Sequence, residues 1–177
     1  MSEYADIPDL EELQERAAAG DPECQARLGF AYASGRGVDR DPSQALLWYE
    51  KAARSGHIAA QYNVADMCLA RHDYDAALAW FSKAAASGDP DASFNVALMH
   101  QRGLGVVQDD AEALRWFKLA AEAGSARAMY DVGLAYLQGR GVACDPESAR
   151  TWLARAAVAG VSGAREVIEA LDSKRSN

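Results

Sequence analysis

The stretch "ARLGFAYASGRGVDRDPSQALLWYEKAARSG", Ala26 to Gly56, decides the fold because it contains two apolar helical patterns separated by a glycine-rich segment. Gly35 follows the first pattern, where a left-handed helix end is expected. Asp41 precedes Pro42 as an N-cap precedes the first residue of a helix. The stretch therefore predicts a hairpin of two antiparallel helices.

The hairpin pattern recurs along the chain with a fixed period. Glycines that close alanine-rich segments are spaced by 36, 32, 36 and 36 residues: Gly20, Gly56, Gly88, Gly124 and Gly160. All four tryptophans fall in one column of this register: Trp48, Trp80, Trp116 and Trp152. Periods of this length are typical of helical-hairpin arrays. Small residues in other columns would let helices approach closely, and the tryptophans would fill the space between hairpins.

The register divides the chain into four repeats with a half-repeat at each end. Residues 1–20 form an N-terminal segment and a capping helix, and 162–177 form a C-terminal capping helix with a frayed tail. The repeat array covers 21–161, with repeats at 21–56, 57–88, 89–124 and 125–160. The predicted fold is all-α, because alanine dominates the apolar residues and β-branched residues are sparse.

The glycine phrase "GRGVDRDP" (Gly35–Pro42) returns as "GLGVVQDD" (Gly103–Asp110) and "GRGVACDP" (Gly139–Pro146). A phosphate-binding loop would follow a strand and often carry a lysine, and neither is expected here. We therefore interpret the phrase as the turn between the two helices of a repeat. Repeat two reads "CLARHDYDAALAWFSKAA" (Cys68–Ala85) and lacks four residues, which predicts a tighter turn and perturbed curvature.

These columns resemble the Sel-one-like repeat family, a branch of the tetratricopeptide-like helical repeats. "ARLGFAYASGRGVDRDPSQALLWYEKAARSG" and "MYDVGLAYLQGRGVACDPESARTWLARAAVAG" carry the family pattern. The resemblance covers Gly20 to Gly160. It implies a right-handed α/α superhelix, a solenoid of antiparallel helix pairs, that serves as a protein-interaction scaffold.

Composition excludes several function classes. A formal net charge of -8 over 177 residues argues against a nucleic-acid partner. The N-terminus is acidic where a secretory signal needs basic residues, and no later stretch is long enough to cross a membrane. We expect a soluble, cytoplasmic and bacterial protein. Three cysteines without paired spacing, Cys24, Cys68 and Cys144, predict neither disulfides nor a zinc site.

Catalytic patterns are also missing from the sequence. His57, His72 and His100 fall at a second-helix end, in the short turn and on a first-helix packing stripe, without the spacing of a helical metal site. No serine lies in a G-x-S-x-G elbow. The sequence therefore predicts no enzyme activity, no metal and no cofactor.

The resemblance places the first helix of each repeat on the concave face of the array. Helical geometry then predicts a partner-binding surface of mixed apolar and polar side chains. The candidate residues are Phe30, Tyr62, Asp66, Leu69, Phe94, Leu98, Gln101, Arg102, Tyr130 and Leu134. The aromatic column Tyr62, Phe94 and Tyr130 has an alternative role, which is packing between neighbouring first helices.

The leading functional prediction is a non-enzymatic scaffold or adaptor that binds a partner peptide or helix in its groove. One alternative is an inhibitor or immunity-type protein that caps one toxin or enzyme. Another is β-lactam hydrolysis, which the resemblance raises through cysteine-rich relatives, although their paired cysteines are absent here. The expected partner is a protein or peptide, and the chain is expected to be monomeric or weakly self-associating.

Overall fold

The computed structural model describes residues 10–175, which form ten α-helices. Residues 1–9, part of the predicted N-terminal segment, and residues 176–177 of the predicted tail lie outside the described residues. The helices are α1 (Leu10–Ala18), α2 (Pro22–Ser34), α3 (Pro42–Arg54), α4 (Ile58–Ala70), α5 (Tyr74–Ala86), α6 (Pro90–Arg102), α7 (Asp110–Glu122), α8 (Ala126–Gln138), α9 (Pro146–Val158) and α10 (Gly163–Arg175).

The helices form two compact units that divide after Ala84, near the end of α5. Unit 1 contains α1 and the pairs α2/α3 and α4/α5, and unit 2 contains the pairs α6/α7 and α8/α9 followed by α10. In each pair we call the earlier helix the first helix and the later one the second helix. The apolar cores lie between paired helices and between successive pairs within a unit.

Aspartates begin the second helices, as the sequence predicts. The Asp41 carboxylate accepts hydrogen bonds from the backbone N–H groups of Ser43 at 2.8 Å and Gln44 at 3.1 Å. This satisfies donors that the first turn of a helix leaves unpaired. Asp73, Asp109 and Asp145 do the same for α5, α7 and α9. Gly35 ends α2 in the left-handed region, with φ 73°.

Asp21 caps α2 and is the most strongly perturbed carboxyl of these caps. Its carboxylate accepts from the N–H of Cys24 at 3.2 Å and from Arg16 Nη2 at 2.7 Å. These bonds, that of the Cys24 backbone first, lower the pKa of Asp21 from 3.8 to about 2.

The lowered pKa gives Asp21 a testable pH dependence. Its contribution to stability is complete above pH 3.8 and is lost as the pH falls through about 2, because protonation removes the acceptor. An NMR titration of the side-chain carboxyl should give a midpoint near 2. In Arg16→Gln the midpoint should rise but stay below 3.8, since the Cys24 amide remains. A wild-type midpoint at 3.8 would contradict this account.

The turn of repeat two is shorter than the others, which confirms the predicted tight hairpin. Only residues 71–73 separate α4 from α5, whereas seven residues separate the helices of each other pair. His72 adopts φ 61°, a left-handed conformation rare for a side chain other than glycine. Its Nδ1 lies 2.8 Å from the hydroxyl of Tyr74. A local side-chain contact thus accompanies the strained residue of the shortened turn.

Paired helices approach closely at a column of small residues in the first helix. A Cβ atom added to Gly29 would lie 2.7 Å from Cδ1 of Tyr49, and one added to Gly133 would lie 2.7 Å from Cγ of Leu153. Both distances are shorter than van der Waals contact. The same column holds Ala65 and Ala97, both fully buried. The predicted role of small residues in helix packing is confirmed at Gly29 and Gly133.

Gly133→Ala should therefore destabilise the protein by about 1–3 kcal/mol, because the new methyl group forces Leu153 or the helix to move. Gly163→Ala makes the same chemical change at the start of α10, where the nearest atom is 3.7 Å away. That control should be neutral or stabilising by up to about 1 kcal/mol, since alanine favours helix. Urea denaturation of both variants gives the comparison. Equal losses in the two would contradict the close-packing interpretation.

The large buried side chains of the second helices lie one residue after the tryptophans. Tyr49, Phe81, Phe117 and Leu153 are at most 4% exposed, whereas all four tryptophans are only half-buried. Trp48, Trp80 and Trp152 pack against neighbouring core clusters, as expected for side chains between hairpins. The sequence analysis identified the tryptophan column but missed the more deeply buried column beside it.

A cation covers the indole in three of the four repeats. The Nζ atoms of Lys51 and Lys83 lie 3.7 and 4.0 Å from the ring centroids of Trp48 and Trp80. Arg155 lies 4.1 Å from that of Trp152. In each case the cation is three residues after the tryptophan, on the same helix face. Repeat three has the exposed Leu119 at this position.

Alanine substitutions should show which of the two columns, the tryptophans or the residues after them, contributes more to the free energy of unfolding. Phe117→Ala should lower the free energy of unfolding by about 3–5 kcal/mol, as for a buried aromatic. Trp116→Ala should cost less, because part of the indole remains in contact with water in the folded state. Chemical denaturation of the two variants in parallel checks the order. A larger loss in Trp116→Ala would show that the indole column carries the core.

Candidate functional site

One face of each first helix remains open to solvent. We call positions 2, 9 and 13 of these 13-residue helices the first-helix strip; helical geometry places the three positions on one face. Positions 2 and 13 are exposed in all four repeats, and position 9 is exposed or half-buried. The strip comprises Glu23, Phe30, Ser34, Ala59, Asp66, Ala70, Asp91, Leu98, Arg102, Arg127, Leu134 and Gln138.

Five of the predicted binding residues lie on this strip. Phe30, Leu98 and Leu134 are half-buried at position 9, where Asp66 is exposed, and Arg102 is exposed at position 13. The ring of Phe30 lies 5.5 Å from the guanidinium carbon of Arg36. Each unit therefore presents partly exposed apolar side chains together with charged ones.

The other predicted residues lie beside the strip, and three of them contribute to packing. The Tyr62 ring makes an edge contact with Phe81, with centroids 5.3 Å apart, and Phe94 makes one with Phe117 at 5.4 Å. Tyr130 packs against the cluster around Leu153. These residues therefore have a packing role, but they contact the second helix of their own repeat, whereas the predicted alternative was packing between neighbouring first helices. Leu69 and Gln101 are half-buried one residue before the end of the strip.

A polar column at position 6 was missed by the sequence analysis. It contains Arg27, Asn63, Asn95 and Asp131. Burial raises the pKa of the Asp131 carboxyl, and the nearby positive charge of Arg140 opposes this shift. Within residues 10–175, no hydrogen bond or ion pair is formed by the side chain of Asn63 or Asp66. The signal was present in the sequence, since this position is polar in every repeat.

Unit 1 contains a pocket of about 220 Å³ next to the strip. It is lined by Arg40 of the α2–α3 connection, by Pro42 at the start of α3, and by Asn63, Asp66 and Met67 of α4. Tyr49 lines it from α3. The Nε of Arg40 donates to the carbonyl of Ala33 at 3.2 Å. We call this cavity the repeat-two pocket.

Cys24, Cys68 and His57 occupy structural positions. Burial raises the pKa of the Cys24 and Cys68 thiols, which disfavours the reactive thiolate. His57 was predicted at the end of a second helix, but it caps the start of α4: its Nδ1 accepts from the N–H of Ala60 at 3.1 Å. Its Nε2 lies 3.1 Å from a carboxylate oxygen of Glu23.

No group of three or more His, Cys, Asp and Glu side chains between residues 10 and 175 is arranged to hold a metal ion. None of the helices in this range is long and apolar enough to span a bilayer.

The paired helices define a class of protein, the all-α solenoid of helix-pair repeats. The Sel1 repeat family model matches residues 22–57, 58–89, 90–125 and 126–161, each one residue later than the repeat bounds predicted from sequence. A Sel1 repeat protein from Oxalobacter formigenes is 31% identical with a TM-score of 0.77, and the match covers 90% of this chain and 74% of that one. The chain belongs to the Sel1 repeat family, and the predicted fold class is confirmed.

Other solved structures extend the comparison. The protective antigen c5321 of uropathogenic Escherichia coli, described as having an SLR fold, is 34% identical with a TM-score of 0.85. That match covers 89% of this chain but 35% of the antigen, so the chain spans about a third of that protein. The immunity protein Pa5087 from Pseudomonas aeruginosa shares the fold at 21% identity and a TM-score of 0.55, over 88% of this chain and 59% of that one. A comparison with curated proteins gave no match.

Family membership supports a general statement about function. Sel1 repeat proteins are generally non-catalytic scaffolds for protein–protein interaction. The first-helix strip combines charged side chains with half-buried apolar ones, of which Phe30 and Leu98 also pack against core clusters.

Proposed function

We propose that the chain is a non-enzymatic adaptor that binds a partner peptide or helix along the first-helix strip. The observation that supports this most is position 9, where Phe30, Leu98 and Leu134 keep part of their apolar surface in contact with water. Burying such surface is the main driving force of protein association.

Polar residues on the strip provide specificity. Asp66 and Arg102 are exposed and carry opposite charges, one in each unit. Charges at the edge of an interface mainly control association rate and partner choice, while apolar anchors supply most of the affinity. Each unit carries both kinds of residue on its part of the strip.

A variant that changes the charge at two positions of the strip tests this proposal. Ala70→Arg with Arg102→Glu changes one exposed residue in each unit without removing a core contact. It should reduce capture of the partner by at least about tenfold, because added bulk at residue 70 and a reversed charge at residue 102 disturb the complementarity with the bound chain. The measurement is affinity capture with quantitative mass spectrometry, followed by titration of the captured protein.

A matched control makes the same changes on second helices. Ala79→Arg with Arg115→Glu alters exposed positions of α5 and α7. This control should capture the partner as well as the wild type does, and both variants should melt within a few degrees of it. Loss of binding in the control, or full binding in the strip variant, would place the interface elsewhere.

The stoichiometry of the captured complex separates an adaptor from an inhibitor. An adaptor should bind a peptide segment and leave the activity of its partner intact. A single tight one-to-one complex in which an enzyme or toxin is inactivated would instead support the immunity-type alternative. Isothermal titration with an activity assay of the captured protein distinguishes the two outcomes.

A further inference from the structure

In unit 2, the turn of repeat four packs onto the preceding repeat. Gly141 lies against the carbonyl group of Asp110, the first residue of α7, so closely that a Cβ atom would overlap it. Val142 packs against the buried cluster of α7 and α8. Arg140 is half-buried, its Nε is buried without a hydrogen-bond acceptor, and its charge acts on the carboxylate of Asp131. The turn thus places the positive charge of Arg140 close enough to a first-helix carboxylate to oppose the rise in its pKa, without forming an ion pair with it.

In unit 1, the residues that would do the same are missing. Pro42 is the first residue of α3 and corresponds to Asp110, and Asn63 corresponds to Asp131. The α4–α5 turn consists of residues 71–73 only and contains no glycine, and its one arginine, Arg71, caps the end of α4 and does not line the pocket at this place. The repeat-two pocket lies at this place, lined by Pro42 and Asn63. The four-residue deletion therefore accounts for an open pocket where unit 2 has a packed turn.

We propose that the repeat-two pocket binds an arginine side chain of the partner, which takes the position that Arg140 occupies in unit 2. The inference rests on the proposed function, since it names the chemistry of a partner bound at the strip. Asp66 supplies the carboxylate, one helical turn after Asn63 on the same face of α4. Met67 and Tyr49 provide apolar surface for the aliphatic stem.

The size and polarity of the pocket agree with one side chain. Its volume of about 220 Å³ is below the range usual for small-molecule sites, which begins at about 300 Å³. Asn63 and Asp66 form no hydrogen bond with other side chains or backbone in the described residues 10–175, so both can accept from a guanidinium. The formal net charge of -8 also favours a cationic guest.

Arg40 is the residue that distinguishes a cationic guest from an anionic one. It lines the pocket, and its Nε is already bonded to the Ala33 carbonyl. The corresponding residue of repeat three is Gln108, which is uncharged. An arginine guest would be repelled by Arg40, whereas a carboxylate guest would be attracted by it. Changing Arg40 and Asp66 should therefore have opposite effects on affinity.

The test uses the acetylated and amidated tetrapeptide GRGV, which is the sequence of residues 139–142. The full chain is titrated in ¹⁵N-resolved NMR spectra with up to about 10 mM peptide, enough to measure a millimolar dissociation constant. We expect saturable shifts of the amides from Asn63 to Met67. The matched peptides GQGV and GEGV should cause no saturable shifts there.

Three variants give the sign of the interaction. Asp66→Asn should weaken GRGV binding about fivefold, the effect of one exposed ion pair. Arg40→Gln, which introduces the residue of repeat three, should strengthen it. Asp75→Asn makes the same charge change at an exposed position of α5 and should leave the affinity for GRGV unchanged. The spectra also show that each variant is folded.

Three other results would show that the assignment of the pocket to an arginine side chain is wrong. It is wrong if GRGV gives no saturable shift at Asn63–Met67, if GEGV binds better, or if Arg40→Gln weakens binding. The proposed function fails separately, when the strip variant still captures its partner. A partner that is lost in the strip variant but bound normally by Asp66→Asn would exclude the arginine site and leave the adaptor function standing.

Discussion

The contact between a small residue of the first helix and a large side chain of the second sets the geometry of each repeat. Gly29 against Tyr49, and Gly133 against Leu153, leave no room for a single methyl group. At this distance the large side chain is shielded on all sides by the two helices and their neighbours, and it is at most 4% exposed. The close approach of the two helix backbones thus determines which side chains of the second helix form the core.

The same packing determines which surface is available for function. The second helix and the neighbouring pair cover one face of the first helix, so positions 2, 9 and 13 remain at the surface. The connecting turn then modifies that surface. With seven residues it packs Gly141 and Val142 onto the preceding repeat, and with three it leaves a pocket beside Pro42.

Much of the fold was predictable from sequence because the repeat supplies several independent markers of one register. The glycines, the N-cap aspartates and the tryptophans all recur together, and the short turn of repeat two follows from a simple count of residues. The prediction was less accurate for burial. Trp116 and Phe117 are adjacent and both apolar, and only the interhelical geometry shows that Phe117 is the more deeply buried.

The candidate site was predicted in part. Position 9 follows from helical periodicity, so Phe30, Asp66, Leu98 and Leu134 could be placed on the predicted partner-binding face. The edge contacts of Tyr62 and Phe94 depend on the tilt between helices, which periodicity does not specify. The repeat-two pocket was missed for a similar reason: it results from residues that are absent, and its walls come from three different helices and a turn.

A double-mutant cycle between Gly133→Ala and Leu153→Ala, which removes the Cγ atom that the added methyl group would meet at 2.7 Å, tests the central claim most directly. If the added methyl group collides with Leu153, trimming that side chain should relieve the strain. We expect the two substitutions to be coupled by about 1 kcal/mol or more, with the double variant more stable than the sum of the single losses predicts. Strict additivity of the two changes in unfolding free energy would contradict the account, because the cost of the added methyl group would then not depend on the side chain that it faces.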